Sequence, residues 1–250
     1  PALLSRAENG KLTDAGNSMS PDIERVMSLN PDAILLSPFE NAGYGRIGKM
    51  GIPIIECADY LETSPLGRAE WIKFFGLLYG KEVEADSIFT EVEKNYTELR
   101  DKIGVLSSAP VVISELKSGS AWYMPGGKSY MARFFKDAGA AYPWSDNTET
   151  GSIPLSFETV FNRAGEADIW LIKSFHVSEL SYRTLQKEYA PYARFKAFRE
   201  KKIYGCDSSR CNYYEETPFR PDLLLQELAA LFHPGLFPDY RFRYYQPLSE

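Results

Sequence analysis

Residues 64–103 organise this chain, and their sequence is SPLGRAEWIKFFGLLYGKEVEADSIFTEVEKNYTELRDKI. The pattern predicts two helices in series. The first begins at Ser64, a favourable N-cap followed by Pro65 at the first helical position, and ends before Gly80. The second covers residues 82–103, where apolar residues recur every three or four positions and charged residues mostly fill the opposite face. At ~1.5 Å per residue it is about 33 Å long, which predicts a rigid rod between two lobes.

Strand-like runs lie on both sides of this rod and alternate with short helices, which predicts an α/β fold with parallel-type sheets. The predicted domains are an N-terminal lobe at residues 1–81, a linking helix at 82–104 and a C-terminal lobe at 105–250. The first lobe lacks an opening strand, so we expect its N-terminal part to be missing. The aromatic, proline-rich tail, residues 233–250, is expected to pack on the surface. The pattern alone leaves one alternative open, an ordinary surface helix of a single α/β domain.

Composition narrows the class of protein. A chain of 250 residues with 44% hydrophobic and 25% charged residues can bury a substantial core. No run approaches the ~18 apolar residues of a membrane span. The net charge of −6 and the absence of a basic stripe argue against nucleic acid as a partner. Cys206 and Cys211 flank a short loop, and either a disulfide in an exported protein or two free thiols would fit them.

Motifs for catalysis and for metal binding are weak. Gly43–Gly48 matches G-x-G-x-x-G, but Gly51 and Pro53 cut short the helix that a nucleotide site requires. The sequence contains no G-x-S-x-G, no C-x-x-C and only two histidines. We therefore predict no enzymatic activity, no protein metal site and no cofactor of the protein's own.

A short helix that leads into a strand occurs twice, with a glutamate in the first helical turn each time. Glu24 belongs to the first copy, residues 21–37, and Glu158 to the second, residues 155–173. This repetition predicts two lobes of related construction. Taken alone, an acidic residue at a helix N-terminus is explained by the helix dipole.

Aromatic and charged residues are concentrated in the loops after the predicted strands, where ligands bind in open α/β sheets. Rings with a few charged or hydroxyl groups suit a large, flat or apolar ligand that carries some polar groups. The predicted ligand-binding residues are Phe39, Glu40, Tyr44, Tyr60, Lys117, Trp122, Tyr123, His176, Arg210 and Tyr214. A place in the core is the alternative for about half of the loop aromatics, and a solvated loop position is the alternative for His176.

The whole chain resembles the periplasmic substrate-binding proteins of ABC importers for cobalamin and iron complexes. The order and spacing of several segments carry the resemblance: SPDIE (20–24), NPDAILL (30–36), GIPII (51–55), GLLYGKE (76–82), LSFE (155–158), ADIWLI (167–172) and FRPDLL (219–224). Residues 37–41 and 115–123 look like the Bacteroides-type branch of this family.

The resemblance implies a class III periplasmic binding protein fold, with two α/β lobes joined by one long helix and a ligand between them. It implies that Glu24 and Glu158 dock on arginines of a permease in the inner membrane. It also implies a periplasmic monomer, with a lipid anchor on a segment outside these residues. The expected ligand is an iron complex, a ferric siderophore or haem, ahead of cobalamin. A sensor, an orphan haem-binding lipoprotein and a cleft enzyme are further alternatives.

Overall fold

The computed structural model describes residues 2–17, 20–38, 44–175 and 180–250. The chain divides into two compact units, Pro1–Leu61 and Glu62–Glu250. Helices long and apolar enough to span a membrane are absent from the described ranges.

The first unit contains one pair of parallel strands. Its elements are α1 (Ala2–Glu8), β1 (Gly16–Asn17), β2 (Ser20–Pro21), α2 (Ile23–Leu29), β3 (Ile34–Leu36) and β4 (Ile54–Glu56), with 3₁₀ turns at Ile47–Lys49 and Asp59–Leu61. Ile34 on β3 lies opposite Ile54 on β4. The carboxylate of Asp22 caps α2 by accepting a hydrogen bond from the amide of Arg25 at 3.1 Å. The predicted short helix that leads into a strand is confirmed here as α2 and β3.

The second unit holds the remaining elements. They are α3 (Pro65–Leu78), α4 (Glu82–Ile103), β5 (Val112–Ser114), β6 (Lys117–Ser118), β7 (Ala121–Pro125), α5 (Tyr130–Asp137), β8 (Ser152–Leu155), α6 (Phe157–Ala164), β9 (Ile169–Ser174), α7 (Tyr182–Glu188), α8 (Lys196–Arg199), β10 (Ile203–Asp207), α9 (Tyr213–Glu216), α10 (Pro221–Phe232) and β11 (Gln246–Pro247). Short 3₁₀ helices cover Ala190–Arg194 and Pro234–Leu236.

The two predicted consecutive helices are confirmed as α3 and α4. They meet at Gly76, where a Cβ atom would lie 2.5 Å from the Cβ of Ala85. Helix α4 also packs against α10. Both α3 and α4 belong to the second unit by their packing, and the role of α4 as a link between lobes stays a prediction.

The core of the second unit surrounds a four-stranded sheet in the order β11-β10-β9-β5. Strands β5, β9 and β10 are parallel, and β11 runs antiparallel to β10. Strands β6, β7 and β8 form a separate antiparallel sheet. Parallel strands alternate with helices in this unit, so the predicted α/β class is confirmed.

A buried carboxylate holds the C-terminal tail. Glu227 on α10 is fully buried, and its oxygens accept hydrogen bonds from the backbone amides of Arg243, Tyr244 and Tyr245 at 2.5–2.8 Å. Burial raises the pKa of Glu227, although these amides favour its charged form. Tyr244 and Tyr245 are themselves buried. The prediction that the tail packs on the surface is therefore wrong for these two residues, because Glu227 binds their backbone inside the protein.

Candidate functional site

A cavity of about 750 Å³ lies within the second unit, at the carboxyl ends of β5 and β9. Its walls come from the end of β5, the β6–β7 hairpin, the start of α5 and the end of β9. The side chains that give it chemical character are Glu115, Lys117, Tyr123, Tyr130, Met131, Lys173 and Glu188. Carboxyl ends of parallel strands are the usual ligand-binding edge of an α/β sheet, which makes this cavity the candidate site.

A close ion pair between Lys173 Nζ and the Glu115 carboxylate lies in the wall of this cavity. The two side chains are only 14% and 25% exposed. Burial disfavours the charged form of Lys173, but the Glu115 carboxylate outweighs burial and raises the pKa of Lys173 above its ordinary value. Lys173 is therefore a charged group at neutral pH, held in place by its partner.

Glu115 has a left-handed backbone conformation, with φ of 64°. This conformation is unfavourable for a residue other than glycine, and backbone strain of this kind clusters at functional sites. Two hydrogen bonds hold it, since the Glu115 amide donates to Leu171 O at 2.9 Å and its carbonyl accepts from Trp170 Nε1 at 2.8 Å. The neighbouring strand β9 thus fixes the position of Glu115.

Two of the predicted ligand-binding residues line the cavity, Lys117 and Tyr123. The Lys117 ammonium lies 5.3 Å from the ring centroid of Tyr189 and donates to the carbonyl of Gly119. The Lys117 amide donates to the hydroxyl of Tyr192 at 3.1 Å. Tyr123 is about half exposed. The structure therefore places one cation and one ring of the predicted set together.

Trp122 does not reach the cavity, and its predicted role is corrected. Its side chain is fully buried, and its indole donates to Ser114 O at 3.0 Å. It packs against Trp170 and Tyr192, with ring centroids 5.3 and 5.7 Å away. Because successive residues of a strand face opposite sides, Trp122 points into the core while Tyr123 points out.

Arg210 and Tyr214, also predicted, belong to the second unit but not to this cavity. Arg210 lines another cavity of about 340 Å³ and lies 3.5 Å from the carboxylate of Asp207. Tyr214 is exposed on α9, against the ring of Tyr213. Neither residue lines the cavity beside Lys173.

Tyr44 and Tyr60, also predicted, belong to the first unit. In the first unit, the hydroxyl of Tyr44 donates to Glu56 and that of Tyr60 to the carbonyl of Pro38. Phe39, Glu40 and His176 lie outside the described residues. Their roles in ligand binding stay predictions.

The possible metal ligands and the cysteines were also located. Across the described ranges, no three histidine, cysteine, aspartate or glutamate side chains are grouped to hold a metal ion. Cys206 and Cys211 are thiols whose sulfur atoms lie 3.7 Å apart. Burial raises the pKa of both thiols. Of the two alternatives, a disulfide or two free thiols, the structure has the free thiols.

Sequence reasoning missed Glu115 and Lys173, which the structure places in the wall of the candidate site. Both lie at or just beyond the ends of buried strands, Glu115 directly after β5 and Lys173 near the end of β9. A charged residue at the carboxyl end of an otherwise apolar strand is the signal that would have indicated them. The ligand-binding residues were predicted in the loops after the strands instead.

Sequence similarity relates the chain to known proteins. Residues 2–209 match the periplasmic binding protein family. An uncharacterized lipoprotein of Methanocaldococcus jannaschii is 31% identical over 239 residues, which cover 91% of this chain and 54% of that protein. The chain thus spans about half the length of this relative. The petrobactin-binding protein YclQ of Bacillus subtilis is 25% identical over 116 residues, 45% of this chain and 35% of that protein.

Structural similarity extends further than sequence identity. A periplasmic haem-binding protein from Pseudomonas aeruginosa superimposes with a TM-score of 0.69 at 18% identity. The match covers 90% of this chain and 80% of that one. At this level of identity, the similarity establishes a common fold.

Proposed function

Since the chain belongs to the periplasmic binding protein family, we propose that it captures an iron complex, a ferric siderophore or haem, for an ABC importer. The observation that carries this proposal is the cavity at the carboxyl ends of β5 and β9, which combines lysines with tyrosine rings. Ammonium groups bind carboxylate or catecholate oxygens, and rings pack on a flat ligand. The similarities to a petrobactin-binding protein and to a haem-binding protein support this ligand class.

Within the cavity, Lys117 is the cation best placed to meet an anionic ligand. Lys173 is paired with Glu115, whereas no described carboxylate forms an ion pair with Lys117. Tyr123 offers an exposed ring on the same wall. In this proposal the protein acts by binding, through the Lys117 ammonium, the Tyr123 ring and the Lys173–Glu115 ion pair, without catalytic chemistry.

Tryptophan fluorescence tests the ligand. The Trp170 indole is bonded to the carbonyl of Glu115 in the cavity wall, so a filled cavity is expected to change its emission. We expect saturable quenching by haem or by a ferric siderophore. Tyr123→Ala is expected to weaken that binding about tenfold, since a packed ring contributes about 1–2 kcal/mol.

Tyr79→Ala is the matched control, because Tyr79 is an exposed tyrosine at the end of α3 that lines none of the cavities described above. It is expected to bind like the wild type. If cyanocobalamin were the only ligand to quench the fluorescence, the ligand would be cobalamin and not an iron complex. Absence of quenching by every ligand would reject both.

Glu24 and Glu158 are the proposed contacts with the permease. Both are exposed, and they lie in the first turns of α2 and α6. We expect a Glu24→Ala, Glu158→Ala double variant to bind ligand normally but to lose most of its uptake through a reconstituted importer. The protein would work in the periplasm as a monomer, tethered by a lipid anchor outside these residues, as the lipoprotein relative suggests.

Glu82→Ala with Glu215→Ala is the control for this experiment. These glutamates are also exposed and also lie in first helical turns, of α4 and α9. The control removes the same charge from the first turns of two other helices, so uptake should persist. Unchanged uptake in the Glu24, Glu158 variant would show that the docking assignment is wrong.

A further inference from the structure

A second cavity, of about 700 Å³, is lined by positively charged side chains. Lys128, Arg133 and Lys136 line it, and none of its described lining residues is an aspartate or a glutamate. The chain as a whole carries a net charge of −6. The lining of this cavity is therefore positively charged, whereas the protein as a whole is negatively charged. We call this cavity the basic pocket.

Arg133 is held in place by a buried carboxylate. Its Nε donates to both oxygens of Asp137 at 3.0 and 3.1 Å, and the buried Asp137 carboxylate also accepts from the hydroxyl of Tyr96 at 2.8 Å. A guanidinium has five N–H donors, so four remain for another partner. An arginine fixed by a buried carboxylate is ordered before its ligand arrives, which reduces the entropy cost of binding.

The other donors of the pocket are also available. Lys128 and Lys136 are exposed, and neither forms an ion pair with a described residue. The hydroxyl oxygens of Ser64 and Ser129 accept from the amides of Gly67 and Ala132. Each hydroxyl therefore keeps its own hydrogen for an acceptor in the pocket.

We propose that the basic pocket binds a small polyanion with two or more carboxylate or phosphate groups. Ammonium, guanidinium and hydroxyl donors around one cavity match oxyanions and repel cations. The volume is large for a single phosphate, and three separated cations suit a ligand whose charge is spread over several groups. This site uses different cations from the cavity beside Lys173 and does not depend on the ligand proposed there.

Calorimetric titration of the wild-type protein with sodium citrate and with sodium pyrophosphate tests the proposal. Sodium chloride at matched ionic strength controls for screening. We expect saturable binding of at least one polyanion and none of chloride. Tighter binding of citrate would identify a polycarboxylate as the ligand class, and tighter binding of pyrophosphate would identify a polyphosphate. Lys128→Gln and Lys136→Gln are each expected to weaken binding about tenfold, because each removes one charged donor.

Lys94→Gln provides the control, since Lys94 is an exposed lysine on α4 that is absent from the pocket lining. Equal melting temperatures of the free variants would establish that all of them fold. Absence of binding by citrate and pyrophosphate would overturn the proposal, and so would equal weakening by Lys94→Gln. Citrate and pyrophosphate are titrated in the absence of any iron complex, so failure of the iron-complex proposal and failure of this one give different results.

Discussion

Replacement of Glu227 by glutamine is expected to lower the free energy of unfolding by about 3 kcal/mol. The Glu227 carboxylate accepts hydrogen bonds from three consecutive backbone amides, those of residues 243–245, in a site without solvent. Glutamine offers one acceptor oxygen and turns an NH₂ donor toward N–H groups. At least one buried amide then loses its partner while two donors face each other. Urea denaturation of the two proteins measures the difference.

Release of the tail should accompany this loss of stability. The backbone amides of the buried Tyr244 and Tyr245 are bound to Glu227, so limited proteolysis is expected to cleave the variant near residue 243 first. Glu215→Gln is the control, because Glu215 is exposed on α9 and should change stability by less than about 0.5 kcal/mol. A Glu227→Gln protein with the wild-type urea midpoint would show that the carboxylate does not hold the tail.

Local sequence signals account for the helices that were predicted correctly. The N-cap Ser64 with Pro65, the stop at Gly80 and the spacing of apolar residues each act within a few residues. They therefore specify α3 and α4 without knowledge of the rest of the chain. Apolar runs flanked by helices predict parallel strands for the same reason.

The tail and the site depend on contacts between distant residues, which local signals do not report. Glu227 binds amides 16 to 18 positions away, and the sequence clue was an acidic residue among apolar residues in the second half of α10. For Trp122 and Tyr123, strand alternation predicts that one side chain faces the core and the other does not. Which one faces the core is decided by the packing of Trp170 and Tyr192, and the sequence does not show this packing.

The ion pair in the candidate site gives a prediction that separates stability from binding. Lys173→Met leaves the Glu115 carboxylate without its partner in a largely buried position. We expect a loss of about 2 kcal/mol in the free energy of unfolding, below the 3–5 kcal/mol of a fully buried pair because both groups keep some exposure. Lys94→Met, which removes a lysine 70% exposed, is expected to cost less than about 0.5 kcal/mol.

The pH dependence of wild-type stability should agree with this picture. The pKa of Lys173 is raised in the folded protein. Its contribution is therefore fully present below the unfolded value of about 10.4 and is lost as pH rises through the folded pKa. We expect the contribution of this pair to stability to stay constant between about pH 6 and pH 9, and to decline in strongly alkaline solution, a decline that Lys173→Met lacks.

A second substitution, Glu115→Gln, in the Lys173→Met background shows what the pair does for the ligand. It removes the uncompensated carboxylate, so the double variant is expected to regain most of the lost stability, with a coupling energy of about 1–2 kcal/mol. Affinity for the iron complex should stay about tenfold lower, because the cation in the cavity wall is gone while the fold is intact. Recovery of affinity together with stability would mean that Lys173 only neutralises Glu115, and that Lys117 and Tyr123 bind the ligand without it.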